Sequence, residues 1–366
     1  MNQSVLFVSK AVAPPFRDGS SCLVRDLACA LTSAHPTVLS TRDAPELAPH
    51  VRMDRIYRGR SRYAPALVDN LRVLQHLLTD LHHHLWHFVF APNPASSTVG
   101  SALRTLRRKP IVQTVASRPL RFEGVDRLLF GDRVVAVSRH TADALLKHGA
   151  SPTRVVVIPP PVHDLTRLQE AQRVARDNAG IPSDVPLFVY AGDLEFSQGS
   201  NWMAQAAPAI ARALPDAIIA FACRAKTPRA QEHRDRIEKE LEPLGSQVRF
   251  LGEIDDLPAL LASATAAPFP VDDLYGKVDI PYVVLESALL EVPVVVIEGG
   301  PLAEIPDAPT MAEGDVESLA SWCIEMARDE GARRQLGARL RQSVRARHDP
   351  AVVAEQVQSL YDALVK

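Results

Sequence analysis

Cysteine is scarce in this chain, with four in 366 residues (Cys22, Cys29, Cys223 and Cys323) and none in a CxxC spacing. That excludes a disulfide framework and reads as reduced core thiols of a cytoplasmic protein. Aromatic residues make up only 5% and none is interleaved with the arginine-rich segment, which argues against a nucleic-acid surface. No apolar run approaches the roughly 18 residues that a membrane span requires. The start of the chain passes from Gln3 and Ser4 straight into Val5 and Leu6, without the basic region and longer apolar core of a signal peptide. There are no solenoid-period repeats and no low-complexity tracts.

What is present is ordinary globular material, 46% hydrophobic and 23% charged, in a length that fits two domains of about 150–180 residues. The net charge of −2 hides an asymmetry. Residues 1–164 carry 21 Lys and Arg against 12 Asp and Glu, and the remainder carries 20 against 31. A basic front half suits an anionic partner.

Short apolar runs alternate with helical patterns. Strands are expected at 4–9, 36–40, 85–90, 110–115, 133–137 and 154–158, and again at 187–191, 217–222, 247–251, 265–269 and 293–297. Helices are expected at 23–32, 165–179, 201–213, 228–242, 256–263, 281–290, 331–347 and 350–365. Such alternation implies an α/β protein with two doubly wound, Rossmann-like parallel sheets and ligands at the carboxyl ends of the strands. The seam falls at Pro159, Pro160 and Pro161, because proline supplies no ladder donor. The expected division is an N-terminal acceptor-side domain over 1–164 and a C-terminal donor domain over 165–349. The closing helix, 350–366, is expected to cross back onto the first domain.

Several local patterns in a fixed order carry an identity that fold alone would not. They are the strand, helix and exit strand over 132–162; the strand and turn over 248–253, ending in Gly252 and Glu253; and the run Leu285, Glu286, Ser287, Ala288 followed by 293–305. In this order they resemble glycosyltransferase family 4 of the GT-B fold, over nearly the whole chain. The resemblance implies a metal-independent enzyme without cofactor that moves a sugar from a nucleoside-diphosphate sugar to an acceptor hydroxyl, with retention. It implies ribose binding by Glu286, beside Leu285, and a nucleobase-side contact at Gly252 and Glu253. An unpaired charge among the apolar neighbours of Glu286 would be costly, which favours a binding role over a solvated carboxylate.

Departures from the family pattern cluster. The first of two glutamates normally eight positions apart is Val278 here, with Asp279 beside it, able either to take the donor-sugar contact or to cap the helix that Pro281 starts. The arginine and lysine that usually face the diphosphate are Asp193 and Gln198. Arg224, Lys226 and Lys277 are the candidate substitutes, with Asp193 orienting one of them, since a departing diphosphate needs cations aimed at it. Gly19 stands where a glycine lets backbone amides approach a phosphate, but the family's second glycine is Ser20, and the spacing is not the dinucleotide fingerprint GxGxxG. Ala116 replaces a histidine.

His82, His83, His84 and His87 read as strand entry rather than metal ligands. Arg52, Arg55, Arg58, Arg60 and Arg62, opposed only by Asp54, precede an apolar helical stretch. They form either a solvated face or a docking site for anionic lipid or a lipid-linked acceptor, which would put a cytoplasmic protein at the inner membrane face. Two other functions fit the same fold: a nucleotide-sugar epimerase, and a non-catalytic sugar-nucleotide binder.

Overall fold

The computed structural model describes residues 3–16, 18–59, 65–165, 168–225 and 227–365. Arg60, Arg62 and Lys226 lie outside the described residues. The chain divides into two compact units. Unit 1 comprises Met1–His163, Tyr275–Tyr282 and Arg347–Lys366, and unit 2 comprises Asp164–Leu274 and Val283–Ala346.

In unit 1 the strands are β1 (Gln3–Val8), β2 (Ala34–Thr41), β3 (Arg52–Tyr57), β4 (Leu85–Val89), β5 (Ile111–Val115), β6 (Arg133–Ala136) and β7 (Val155–Val157). They form one sheet of order β3-β2-β1-β4-β5-β6-β7, parallel throughout. The helices are α1 (Gly19–Ala30), α2 (Leu67–Thr79), α3 (Pro94–Arg107) and α4 (Arg139–Lys147). Because parallel strands are covered on both faces, β1, β4 and β5 are buried along nearly their whole length. Leu6, Trp86, Phe88 and Ile111 pack under Val73 and Leu77 of α2 and Leu103 of α3 in one buried cluster.

β3 departs from expectation. The arginine-rich stretch carries no strand signal in the sequence, yet 52–57 is the edge strand, where charged side chains are tolerated because one side meets water. Arg52 pairs with Asp54 at 3.0 Å and Arg55 with Glu46 at 2.8 Å. The histidines of the strand entry are also structural. Asp80 accepts from Trp86 Nε1 at 2.7 Å and Lys109 Nζ at 2.9 Å, and its Oδ1 lies 2.9 Å from the His83 ring. Burial raises and these partners together lower the Asp80 carboxyl, leaving it well below the usual carboxylate range. His87 lies between Tyr361 and Thr114, at 2.6 Å from each hydroxyl, and full burial pushes its ring down to about 3.

Unit 2 holds α5 (Gln169–Asn178), β8 (Leu187–Tyr190), α6 (Gly199–Ala213), β9 (Ile218–Phe221), α7 (Pro228–Glu240), β10 (Val248–Phe250), α8 (Leu257–Ala262), most of α9 (Tyr282–Leu289), β11 (Val296–Ile297), β12 (Thr310–Met311) and α10 (Val316–Arg328). α11 (Glu330–His348) follows, and α12 (Pro350–Leu364) belongs to unit 1. β10, β9 and β8 are parallel in that order. Single parallel bridges, Phe188 to Ala266 and Phe269 to Val296, continue the sheet toward β11 and β12. The fold is therefore α/β with parallel sheets in both units. No helix among the described residues is long and apolar enough to cross a membrane.

Candidate functional site

In unit 2 the carboxyl ends of β8, β9 and β10 share one edge because the three strands are parallel and adjacent. The loop after β8 carries Asp193. Its Oδ1 accepts from the backbone amides of Glu195 (2.9 Å), Phe196 (2.6 Å) and Ser197 (3.2 Å), and its Oδ2 from the Ser197 hydroxyl (3.0 Å). The carboxylate thus folds its own loop, in the manner of a helix cap. Beneath that loop the Tyr190 ring is fully buried and its hydroxyl donates to the Asp193 carbonyl at 3.2 Å. Burial first, and nearby Cys223 and Asp193 next, push the phenol well above its ordinary range. A Cβ on Gly192 would stand 2.1 Å from the Tyr190 oxygen and one on Gly199 2.6 Å, so both glycines make room for this ring.

Arg224 follows β9 and reaches Glu253, which follows β10, at 3.3 Å, tying two strand ends together. Gly252 turns that second loop with φ +66°, the left-handed region that glycine enters without steric cost. The Thr227 hydroxyl caps α7 and also donates to the Glu195 carboxylate. The Gln198 amide donates to Asp272 at 2.7 Å. Four strand-end segments are therefore linked by side chains, and Arg224 stands among them. Lys226 lies outside the described residues.

The family pattern places Glu286 at a helix start. α9 begins at Tyr282, immediately after Pro281, so Glu286 sits instead in its second turn. From 284 to 290 it is the one residue not buried, with Leu285 and Ser287 at 0% exposure on either side. Glu286 is thus half-buried on an otherwise packed helix face. Leu285 itself is core.

In unit 1 the loop before α1 ends in a capped turn. Asp18 caps α1, accepting from the Ser20 amide at 3.0 Å and pairing with Lys10 at 3.0 Å. The helix start is already served by a carboxylate, which disfavours a second anion there. Gly19 is covered by the 275–282 segment, since a Cβ on it would lie 2.9 Å from Val278 Cγ2. Asp279, 1% exposed, accepts from the Ser138 hydroxyl at 2.7 Å, and its amide donates to the carbonyl of Ala116 at 3.2 Å. The Asp279 carboxylate is thus engaged within unit 1. The Tyr282 hydroxyl donates to the Pro161 carbonyl at 2.7 Å, and Arg118 stacks on Tyr275 at 5.2 Å. Lys277, half-buried, belongs to the same segment.

Sequence reasoning does not single out Tyr190, Ser138 or Tyr282, because a tyrosine or serine at a strand end carries no signal until its neighbours are known. Among the described residues no group of three or more His, Cys, Asp or Glu is placed to hold a metal ion.

Residues 17–164 match the family model described as Glycosyltransferase Family 4, and residues 185–329 match that described as Glycosyl transferases group 1. This chain belongs to the family 4 glycosyltransferases. By family and fold it is a glycosyltransferase of GT-B type. Its fold is shared by HepE of Anabaena, solved in complex with UDP-glucose, at 16% identity and TM-score 0.77 over 99% of this chain and 100% of that one. Sucrose-phosphate synthase from Thermosynechococcus elongatus is similar at 19% identity and TM-score 0.75 over 99% of each chain. A glycosyltransferase from Rickettsia africae is similar at 14% identity and TM-score 0.76 over 100% of this chain and 99% of that one. No curated protein matches the chain by sequence.

Proposed function

We propose that this glycosyltransferase transfers a hexose from a nucleoside-diphosphate sugar to an acceptor hydroxyl, with retention and without a metal cofactor, in the synthesis of a polysaccharide or glycolipid at the cytoplasmic side of a membrane. Unit 2 takes the donor. Glu286 binds the ribose hydroxyls, Gly252 and Glu253 flank the base, and Arg224 with Lys226 meets the charge that builds on the departing diphosphate. The supporting observation is Arg224, a half-buried cation held by Glu253 at the carboxyl ends of parallel strands. UDP-glucose, bound by the HepE structure, is the first donor to test.

One observation favours a second reading. Asp193 stands where the family has an arginine, and its carboxylate is held in place by three amides and a hydroxyl. A fixed acid beside a diphosphate lowers affinity for it, which suits a degenerate sugar-nucleotide binder. Nucleoside-diphosphate release from a donor panel, with and without a lipid-extract acceptor, separates the readings. Acceptor-dependent release supports transfer. Conversion of a donor to another nucleotide-sugar without acceptor means an epimerase, and binding without turnover means a binder.

A further inference from the structure

Helix α9, which carries Glu286, does not begin in the unit that holds Glu286. Its first residue, Tyr282, closes the 275–282 segment of unit 1, and from Val283 onward the helix belongs to unit 2. The groups that fix the start of the helix are therefore found in unit 1. The Tyr282 ring lies against the start of α1, where a Cβ on Gly19 would stand 3.9 Å from Tyr282 Cδ2. Its hydroxyl donates to the Pro161 carbonyl at 2.7 Å.

Pro161 is itself held from both sides. The buried His348 ring donates to the Pro160 carbonyl at 2.8 Å, and the Val162 amide donates to the His348 carbonyl at 3.0 Å. The chain passes from one unit to the other next to His163, Tyr282 and Arg347, each within two residues of these hydrogen bonds. The phenol thus ties the start of α9 to a fastened stretch of chain rather than to a loose loop.

Glu286 follows Tyr282 by four residues, one helical turn, so the two side chains share a face of α9. Each turn of an α-helix is locked to the one before it by backbone hydrogen bonds, and a displacement of the first residue is passed on to the next turn. A carboxylate that accepts from two ribose hydroxyls needs both distances right at once, and such contacts depend on the residues that hold them in place.

We propose that Tyr282 is a positioning residue for the donor site: its bond to Pro161 sets where α9 starts, and so where the Glu286 carboxylate meets the ribose. This role rests on ribose binding by Glu286.

The test is a double-mutant cycle on donor affinity, measured by titration calorimetry of the full chain with UDP-, ADP- and GDP-glucose well below the melting temperature. Tyr282→Phe keeps the ring against Gly19 and removes the hydroxyl alone. It is expected to weaken binding of the preferred donor by about fivefold, and Glu286→Ala by about tenfold or more. In the Glu286→Ala background, Tyr282→Phe should change affinity by less than about twofold, because no carboxylate is left to position. A role in stability alone would lower the melting temperature and leave the affinity untouched. Unchanged affinity in Tyr282→Phe, or an equal loss in both backgrounds, overturns the proposal while the ribose assignment stands. Full affinity in Glu286→Ala, or no binding of any of the three donors by the wild type, overturns the ribose assignment and the proposal with it.

Discussion

Adding one methyl at Gly19 should strain unit 1, and removing methyls at Val278 should relieve it. The Cβ of Gly19→Ala would stand 2.9 Å from Val278 Cγ2, inside the relaxed carbon contact of about 3.5–4.0 Å. Val278 cannot swing aside, because a β-branched side chain is stiff at χ1 and this one is 3% exposed. Overpacking of this kind costs about 1–3 kcal/mol, reduced by the better helix propensity of alanine, worth at most about 1 kcal/mol. Val278→Ala alone removes two buried methyls and should cost about 1–3 kcal/mol. In the double variant the methyl added at position 19 occupies space vacated by Val278, so the combined loss should fall short of the sum by about 1 kcal/mol or more. Two units need not unfold together, so the assay is amide hydrogen exchange at β1 and α1, which reports unit 1 by itself. Additivity within about 0.5 kcal/mol would refute the reasoning, because it would mean that Val278 does not rest on Gly19.

Other predictions concern the buried polar groups. His87 is held near 3 in the fold against 6.5 when unfolded, so the unfolded chain binds the extra proton between those values. Unit 1 should therefore lose stability as pH falls from 6.5 toward 3, by up to roughly 1.4 kcal/mol per pH unit for this group, and a flat profile in chemical denaturation would contradict it. His348, at about 4 mainly through burial, adds a loss of the same sign. Asp80→Ala strands the Trp86 Nε1–H and leaves the Lys109 ammonium with the His83 carbonyl but no counter-charge, and should cost about 3–5 kcal/mol, read as a fall in melting temperature. Asp193→Ala frees three loop amides and should cost about 0.5–2 kcal/mol, with faster hydrogen exchange at 195–197 as the local readout.

Much of the architecture was legible in the sequence because buried parallel strands announce themselves. The apolar runs at 4–9, 85–90 and 133–137 become β1, β4 and β6 with shifts of one residue at most. β3 was not legible, since an edge strand can keep its arginines and so lacks the run that marks its neighbours. Helix α9 was placed to within a residue, yet the distinction between helix start and second turn at Glu286 depended on where Pro281 ends the loop. The 275–282 segment shows why site roles were harder. Val278 and Asp279 differ from the family pattern in sequence, but their engagement with Gly19 and Ser138 joins positions more than a hundred residues apart, which no local pattern records. Asp193 was recognisable as an odd acid, while the amides that satisfy it appear only once its loop is folded.

The central claim is a metal-free nucleotide-sugar site in unit 2, and its most direct test is the thermal shift of the full chain against a panel of nucleotide-sugars, with and without EDTA. A ligand at about 100 times its dissociation constant stabilises the folded state by about 2.7 kcal/mol, a shift that is readily seen. The account predicts a selective shift that survives EDTA and is lost in Glu286→Ala. No shift with any nucleotide-sugar, or one that persists undiminished in Glu286→Ala, would contradict it.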